Sequence, residues 1–279
     1  MNSDLKGKVA LITGAGGRRG IGRATALWLA RAGVKLALMD LAWPKDQRPV
    51  DERENWKGVE SVADEVKQAG SDGLPIYGDV TNEHQVEAAV RSTLDRFGQI
   101  DFLIASAGAR PGADRGPVTD VPADAFRHVI EVNLTGAFLC CKAVGKHMAA
   151  RKQGAVVIVS SEVGRAARPG LAAYSASKFG VIGLMQSFAH EMAPHQVRVN
   201  AVCPGLVDNA RIDWSARAVK SDVPPEEVRA RIIAETERIT PLGRAATSEN
   251  IASVIAFLCS SDSAHITGQS LGVDGGSRM

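Results

Sequence analysis

Three observations predict an α/β fold, a doubly wound parallel seven-stranded sheet in three α/β/α layers. Short β-branched apolar runs alternate with segments of helical periodicity along the whole chain. The runs are continuous rather than alternating, as expected of strands buried on both faces. No 20–50-residue repeat and no interdomain linker breaks the rhythm, so residues 1–279 read as one domain.

The elements follow in order. Residues 9–13 form the first strand, 14–22 a glycine-rich turn, and 23–32 a helix with Ala24, Leu27, Trp28 and Ala30 at helical spacing. A second strand over 35–39 ends at Asp40. Residues 42–58 hold Trp43, Pro44, Pro49 and Trp56 among charges and read as a long surface loop. Helix 59–69 leads to a strand at 74–77, closed by Asp79-Val80, then to helix 82–97 and a strand at 102–105. Residues 123–150 read as one long helix or two abutting ones. Strand 155–159, helix 173–193 and strand 197–202 follow, and 270–273 supplies the seventh strand. Residues 206–240 lack strand character, carry Pro224-Pro225 and a helical stretch at 226–238, and read as a lid over the crevice at the strands' carboxyl ends.

Composition narrows the function. The 279 residues are 45% apolar and 23% charged, with a formal net charge of +2, which argues against disorder and shows no basic stripe for nucleic acid. Neither a signal core nor a run of ~18 apolar residues is visible, so no membrane partner is expected and the cytoplasm is the expected location. Cys140, Cys141, Cys203 and Cys259 read as small core residues in a reducing compartment. The six histidines are scattered without zinc-ligand spacing, so no metal is expected.

Four signals carry chemistry. In Thr13-Gly14-Ala15-Gly16-Gly17-Arg18-Arg19-Gly20-Ile21-Gly22 the glycines let backbone approach a pyrophosphate, and the following helix presents free N–H groups to it. Asp40, 18 residues past Gly22, can accept adenosine ribose hydroxyls and would repel a 2′-phosphate. Arg18 and Arg19 argue the other way, but Leu41 and Ala42 follow Asp40 where an arginine would serve NADP, so NAD is favoured. Tyr174 and Lys178, four apart on a helix, share a face, and an ammonium there favours phenolate and proton exchange with a substrate oxygen. Ser160-Ser161, after the fifth strand, can hold that oxygen beside Tyr174.

In this combination and order the chain resembles the short-chain dehydrogenase/reductase family over about residues 5–279. The loop through Gly14, Arg19, Gly20, Ile21 and Gly22 resembles the family's cofactor loop, and Asp79-Val80 the pair beside the adenine ring. Asn133 matches the helix asparagine, Ser161 lies 13 residues before Tyr174 as the family serine does, and Tyr174 with Lys178 matches Y-x-x-x-K. Residues 199–205, with Pro204 and Gly205, resemble the segment flanking nicotinamide, and 273–276 the carboxyl-terminal signature.

The resemblance implies a Rossmann-type NAD(P)-dependent oxidoreductase acting on a small alcohol or ketone. Tyr174 would be the general acid/base, Lys178 would lower its pKa and bind the nicotinamide ribose, and Ser161 would polarise the substrate oxygen. Asn133 would anchor a relay water, and the Val207 backbone would hold the carboxamide. Family members are commonly tetramers or dimers through the helices at 123–150 and 173–193, which implies a homo-oligomer.

Three positions depart from the pattern. Five residues rather than three separate Gly14 from Gly20, Ala105-Ser106-Ala107-Gly108 replaces N-N-A-G, which loses two asparagine side chains but would leave backbone cofactor contacts at Ser106 and Ala107, and Asn209 stands for a threonine. An NADPH-dependent ketoreductase resembling 3-oxoacyl carrier-protein reductases and a catalytically silent NAD-binding regulator are the alternative readings. Trp214 is a candidate substrate contact, Trp43 and Trp56 candidate caps of the adenine end or a subunit contact, and Arg165 and Arg168 candidate contacts for an acidic substrate. Local packing or solvent exposure explains these five equally well.

Overall fold

The computed structural model describes residues 3–278 except Arg48, Val50, Asp51, Arg53 and 219–221. Parts of the 42–58 and 206–240 segments therefore lie outside the described residues. Seven parallel strands form one sheet in the order β3-β2-β1-β4-β5-β6-β7. They are β1 (Val9–Thr13), β2 (Lys35–Asp40), β3 (Gly73–Tyr77), β4 (Phe102–Ala105), β5 (Gly154–Val159), β6 (Val197–Pro204) and β7 (Ser270–Val273). The helices are α1 (Ile21–Arg31), α2 (Val59–Gln68), α3 (Glu83–Phe97), α4 (Ala123–Ile130), α5 (Gly136–Arg151), α6 (Ala172–Met192), α7 (Ala210–Ala218), α8 (Pro225–Ile239) and α9 (Ser248–Cys259).

The continuous apolar strands divide between two cores because successive side chains point to opposite faces. Ala10, Ile12, Leu36, Leu38, Ile104 and Val157 pack with α1, α2 and α9. Leu11, Ala37, Met39, Leu103, Val156 and Ile158 pack with α3, α5 and α6. The outcome is the expected three-layer Rossmann-type arrangement. Full burial of a Leu or Ile side chain contributes roughly 1.5–3 kcal/mol, so both faces resist polar substitution.

The chain runs outward from β1 to β3 and returns to β4 on the other side of β1, which opens a crevice at the carboxyl ends of β1 and β4. Thr13, at the end of β1, accepts the N–H groups of Ser106 and Ala107 at 3.2 and 3.3 Å, so its hydroxyl joins the two strand ends across that crevice.

One element matches an open reading and one differs from expectation. The 123–150 segment is two abutting helices, α4 and α5, joined by a π-helical turn, Glu131–Thr135, with Asn133 at its centre. The 42–58 segment is not simply a surface loop, because Glu52 and Trp56 are buried. Trp56 donates its indole N–H to the Gly16 carbonyl at 2.6 Å, and Glu52 accepts the Arg18 N–H at 2.7 Å. No helix among the described residues is long and apolar enough to cross a membrane.

Candidate active site

A cavity of about 780 Å³ opens along the carboxyl ends of the strands. Most of the residues singled out in the sequence line it: Gly14, Gly20, Ile21, Asp40, Asp79, Val80, Ser106, Ala107, Ser161, Tyr174, Lys178, Pro204, Gly205 and Val207. Gly22, Arg19 and Asn133 do not. An added Cβ on Gly22 would lie 2.4 Å from the Gly14 carbonyl oxygen, so that glycine lets α1 pack against the loop. Arg19 directs its guanidinium to Asp213 of α7, and its carbonyl accepts the Ser248 hydroxyl at 2.8 Å.

The loop accommodates its two additional residues in a turn closed by Gly20 N–H to the Gly17 carbonyl at 2.9 Å. Gly14 has φ +68, and a Cβ there would meet the Ala107 backbone at 2.7 Å, so glycine is required twice over. Gly20, the N-cap of α1, has no side chain to cap the helix, so the first N–H groups of α1 keep their capacity for an anion. Asp40 closes the same region: its Oδ2 accepts the Gly16 N–H and its Oδ1 the Leu41 N–H, each at 2.7 Å. Burial raises the Asp40 pKa, opposed by those two N–H groups, by the Arg110 charge and by the Trp43 indole. These donors and this acid fit a dinucleotide with a free adenosine ribose.

At the other end, Tyr174 stands half-buried on the first turn of α6, with the Lys178 ammonium nitrogen 5.8 Å from its ring centroid. Lys178 is buried and donates to the Val159 carbonyl at 2.7 Å. Burial pushes the Tyr174 pKa up, but Arg211, Lys178, a hydrogen bond with Ser161 and Arg115 together hold it below the ordinary 10.0. Burial lowers the Lys178 pKa, helped by Arg211 and opposed by Tyr174 and Cys203. Ser161 lies two residues past the end of β5 in extended conformation, and its hydroxyl accepts the Val163 N–H at 3.4 Å.

Asn133 sits behind this group. Its Oδ1 accepts the Ala109 N–H at 2.8 Å, and its Nδ2 donates to the Ser177 hydroxyl at 2.9 Å, which itself donates to the Tyr174 carbonyl at 2.7 Å. Val207 pairs with Ala246 in an isolated parallel bridge, while the Gly205 N–H donates to the Val273 carbonyl at 3.1 Å, so the 204–207 backbone is held against β7. Asn209 Oδ1 accepts the Arg211 N–H at 2.9 Å and starts α7.

A family model described as enoyl-(acyl carrier protein) reductase matches residues 14–278. A short-chain dehydrogenase/reductase of Armillaria gallica is 36% identical over 272 residues, covering 97% of this chain and 96% of the relative. The chain belongs to the short-chain dehydrogenase/reductase family. A cis-4-hydroxycyclohexanecarboxylate dehydrogenase of Sinomonas cyclohexanicum is 37% identical over 96% of both chains. A 3-oxoacyl-[acyl-carrier-protein] reductase of Synechocystis is 35% identical over 99% of this chain and 98% of its own. Solved structures agree. NAD+-bound xylitol dehydrogenase superposes with a TM-score of 0.83 at 34% identity, covering 98% of this chain and 99% of that one. Carveol dehydrogenase from Mycobacterium avium in complex with NAD gives 0.86 at 30%, covering 99% of each. The family's activity is oxidoreduction, so hydride-transfer chemistry is the coarse function of this chain too.

Several charged residues of this family member were missed in the sequence. Arg110 lies 3.4 Å from the Trp43 ring centroid and 4.5 Å from that of Trp214, linking the 42–58 segment to α7. Arg115 and Arg211 flank Tyr174. Arg168, by contrast, is occupied by Glu162 at 2.8 Å. No local spacing announces Arg110, Arg115 or Arg211, because only the folded crevice brings them together.

Proposed function

We propose that this chain is an NAD-linked dehydrogenase that interconverts a small secondary alcohol and its ketone through Asn133, Ser161, Tyr174 and Lys178. The observation that carries this reading is Tyr174, a phenol held below its ordinary pKa inside the dinucleotide-sized cavity and beside Ser161 and Lys178. In the oxidative direction Tyr174 accepts the hydroxyl proton, and Ser161 fixes and polarises the same oxygen. Lys178 stabilises the phenolate, and Asn133 keeps the π-helical turn registered with α6 and anchors the proton path behind Lys178. NAD, when bound, supplies the hydride acceptor. The α1 N-terminus with Gly14, Gly20 and Ile21 would hold its phosphates, Asp79, Val80, Ser106 and Ala107 would line the adenosine side, and Pro204, Gly205 and Val207 the nicotinamide side.

Asp40 favours NAD over NADP because a carboxylate at the ribose repels a 2′-phosphate. The NAD-bound xylitol and carveol dehydrogenase structures support that choice. The nearness of Arg110 to Asp40 favours the second reading, an NADPH-dependent ketoreductase akin to the Synechocystis relative.

In this proposal residues 1–279 act as one catalytic domain with 206–240 as a lid, whose α7 reaches the body where Arg211 Nη1 donates to the Ala109 carbonyl at 2.9 Å and whose α8 is joined to α7 by Arg229 Nε on Asp213 at 2.8 Å. The enzyme works in the cytoplasm as a homo-oligomer. Four buried free cysteines support a reducing compartment, and exposed Phe126, Phe138 and Phe179 on α4, α5 and α6 support an interface on those helices.

The test is absorbance at 340 nm with NAD+ and NADP+ against secondary alcohols, diols, ring hydroxy acids and ketones. NAD-linked turnover that Tyr174→Phe reduces by about 10²–10⁴ is expected. Turnover that survives in Tyr174→Phe refutes the acid/base assignment.

A further inference from the structure

Two cations around Tyr174 exceed what proton transfer needs. The Arg211 guanidinium carbon lies 4.5 Å from the Tyr174 ring centroid, and that of Arg115 lies 5.1 Å away. Arg115 belongs to the loop after β4 and Arg211 to the first turn of α7, yet both line the same cavity as Ser161 and Tyr174.

Each arginine is anchored with donors to spare. Arg211 Nη1 donates to the Ala109 carbonyl at 2.9 Å, and among the described residues no carboxylate approaches Arg211 within 4.0 Å. A guanidinium carries five N–H donors, so most of its capacity is uncommitted. Arg115 Nε is buried without a hydrogen-bond partner, although Asp114 Oδ2 lies 3.2 Å away in poor alignment. Asp114 is itself buried and accepts the Gly112 N–H at 2.8 Å.

The local charges do not balance. Arg115, Arg211 and Lys178 stand against Asp114, and the Tyr174 phenolate is neutralised whenever it takes a proton. Glu162 is committed to Arg168, with Arg278 also near it, and Glu131 on the cavity wall is exposed. Asp40 ends β2, three strand spacings from β5, or ~14 Å across the sheet. Like charges gathered in a partly desolvated site are costly unless an anion joins them.

We propose that the substrate of this site carries a carboxylate, received by Arg211 and Arg115 while its carbinol oxygen lies at Ser161 and Tyr174. The substrate class is thus a hydroxy acid or the matching oxo acid, an assignment that rests on the hydride-transfer reading above. A planar guanidinium fork matches a carboxylate in two parallel hydrogen bonds. The reaction balances without touching the carboxylate. The carbinol C–H leaves as hydride and reduces NAD+ to NADH, the carbinol becomes a ketone, and the O–H proton leaves through Tyr174 to water.

The test uses the full chain with NAD+ and has two arms. In the binding arm, titration calorimetry compares benzoate with benzamide. Benzoate should bind at least about ten-fold more tightly, and Arg211→Gln should remove the difference, as loss of a charge-assisted pair requires. In the turnover arm, hydroxycyclohexanecarboxylates are compared with their primary amides. Arg211→Gln should lower the acid-to-amide ratio of kcat/KM about 10- to 100-fold, mainly through KM for the acid, with partial recovery in Arg211→Lys.

Equal losses on acid and amide would overturn the proposal, because Arg211 would then act on Tyr174 or on the cofactor. Equal binding of benzoate and benzamide by the unmodified chain would overturn it as well. The underlying reading fails separately. Turnover persisting in Tyr174→Phe would defeat the acid/base assignment, while a retained preference for benzoate would still support the carboxylate site.

Discussion

Replacing Asp40 with alanine tests cofactor choice most directly. Gly16 and Leu41 N–H groups already occupy one lone pair on each carboxylate oxygen, and the Trp43 indole draws on a third. A carboxylate offers about four such sites, which leaves one for a ribose hydroxyl. A hydrogen bond to a charged acceptor is worth about 1.5–3 kcal/mol, so kcat/KM for NAD+ should fall roughly 10- to 100-fold in Asp40→Ala. The effect on NADP+ has the opposite sign. Unit charges about 4 Å apart at an effective dielectric of about 20 repel by ~4 kcal/mol, and the substitution removes that repulsion and frees Arg110 to meet a 2′-phosphate. The NAD+/NADP+ preference should therefore swing by about 10³ or more. Steady-state kinetics with both cofactors at fixed alcohol reads the ratio, and circular dichroism confirms that the variant is folded. A ratio that moves less than about ten-fold, or a parallel loss with both cofactors, would refute the role given to Asp40.

Other consequences can be measured on the same protein. Because Arg211 helps hold the Tyr174 phenol below 10.0, Arg211→Gln should raise its pKa. Oxidation needs the phenolate and rises with pH through that pKa, so its rising limb should move to higher pH; reduction needs the phenol, and its falling limb should move the same way. A kcat/KM profile that does not shift would contradict this. Asn133→Ala strips the acceptor from the buried Ala109 N–H and the donor from Ser177, which should cost about 2–4 kcal/mol in urea unfolding, more than Asn133→Asp, which keeps the acceptor. Trp56→Phe removes the indole N–H bond to Gly16 and part of the buried ring, so a stability loss of at least about 1–2 kcal/mol with a raised KM for NAD+ is expected, and an unchanged KM would separate that contact from cofactor binding.

Strands β1, β2, β4, β5 and β6 were legible because burial leaves uninterrupted apolar runs, whereas the edge strands β3 and β7 are only partly buried and are read from their place in the alternation. Strand β6 continues past the expected 202 to Pro204 because Cys203 and Pro204 still pair with Gly272 and Val273 of β7. Helix α9 carries a readable pattern, with Ile251, Ile255 and Leu258 buried and a capping box between Thr247 and Asn250, yet it was not among the expected elements. The π-helical turn had no such pattern. It satisfies the side-chain bonds of Asn133, which depend on Ala109 and Ser177 arriving from elsewhere in the chain. Arg110, Arg115 and Arg211 were hidden for a related reason: a long flexible cation leaves no periodicity, and its meaning comes from the side chains it meets. Trp56, placed in a surface loop by its charged neighbours and open to a capping or a packing role, is buried against the glycine-rich loop with the Arg23 guanidinium 5.6 Å from its ring.

The lengthened glycine loop, a departure from the family pattern, and the 42–58 segment, read as a surface loop, looked unrelated in the sequence, but their contacts make them one unit. Lengthening the loop adds backbone N–H and carbonyl groups that need partners where water is restricted. Trp56 satisfies the Gly16 carbonyl, Glu52 the Arg18 N–H, and Asp40 the Gly16 N–H. Arg23 on α1 extends the same network, donating to the Arg18 carbonyl at 2.9 Å and holding Glu65 of α2 at 2.6 Å. Shortening the loop would leave Glu52 buried without that backbone bond, and deleting the segment would uncover the loop's polar backbone. With the loop's N–H groups at Gly16, Arg18 and Gly20 already bonded, the uncapped first turn of α1 keeps donors for an anion, which supports the phosphate placement proposed above.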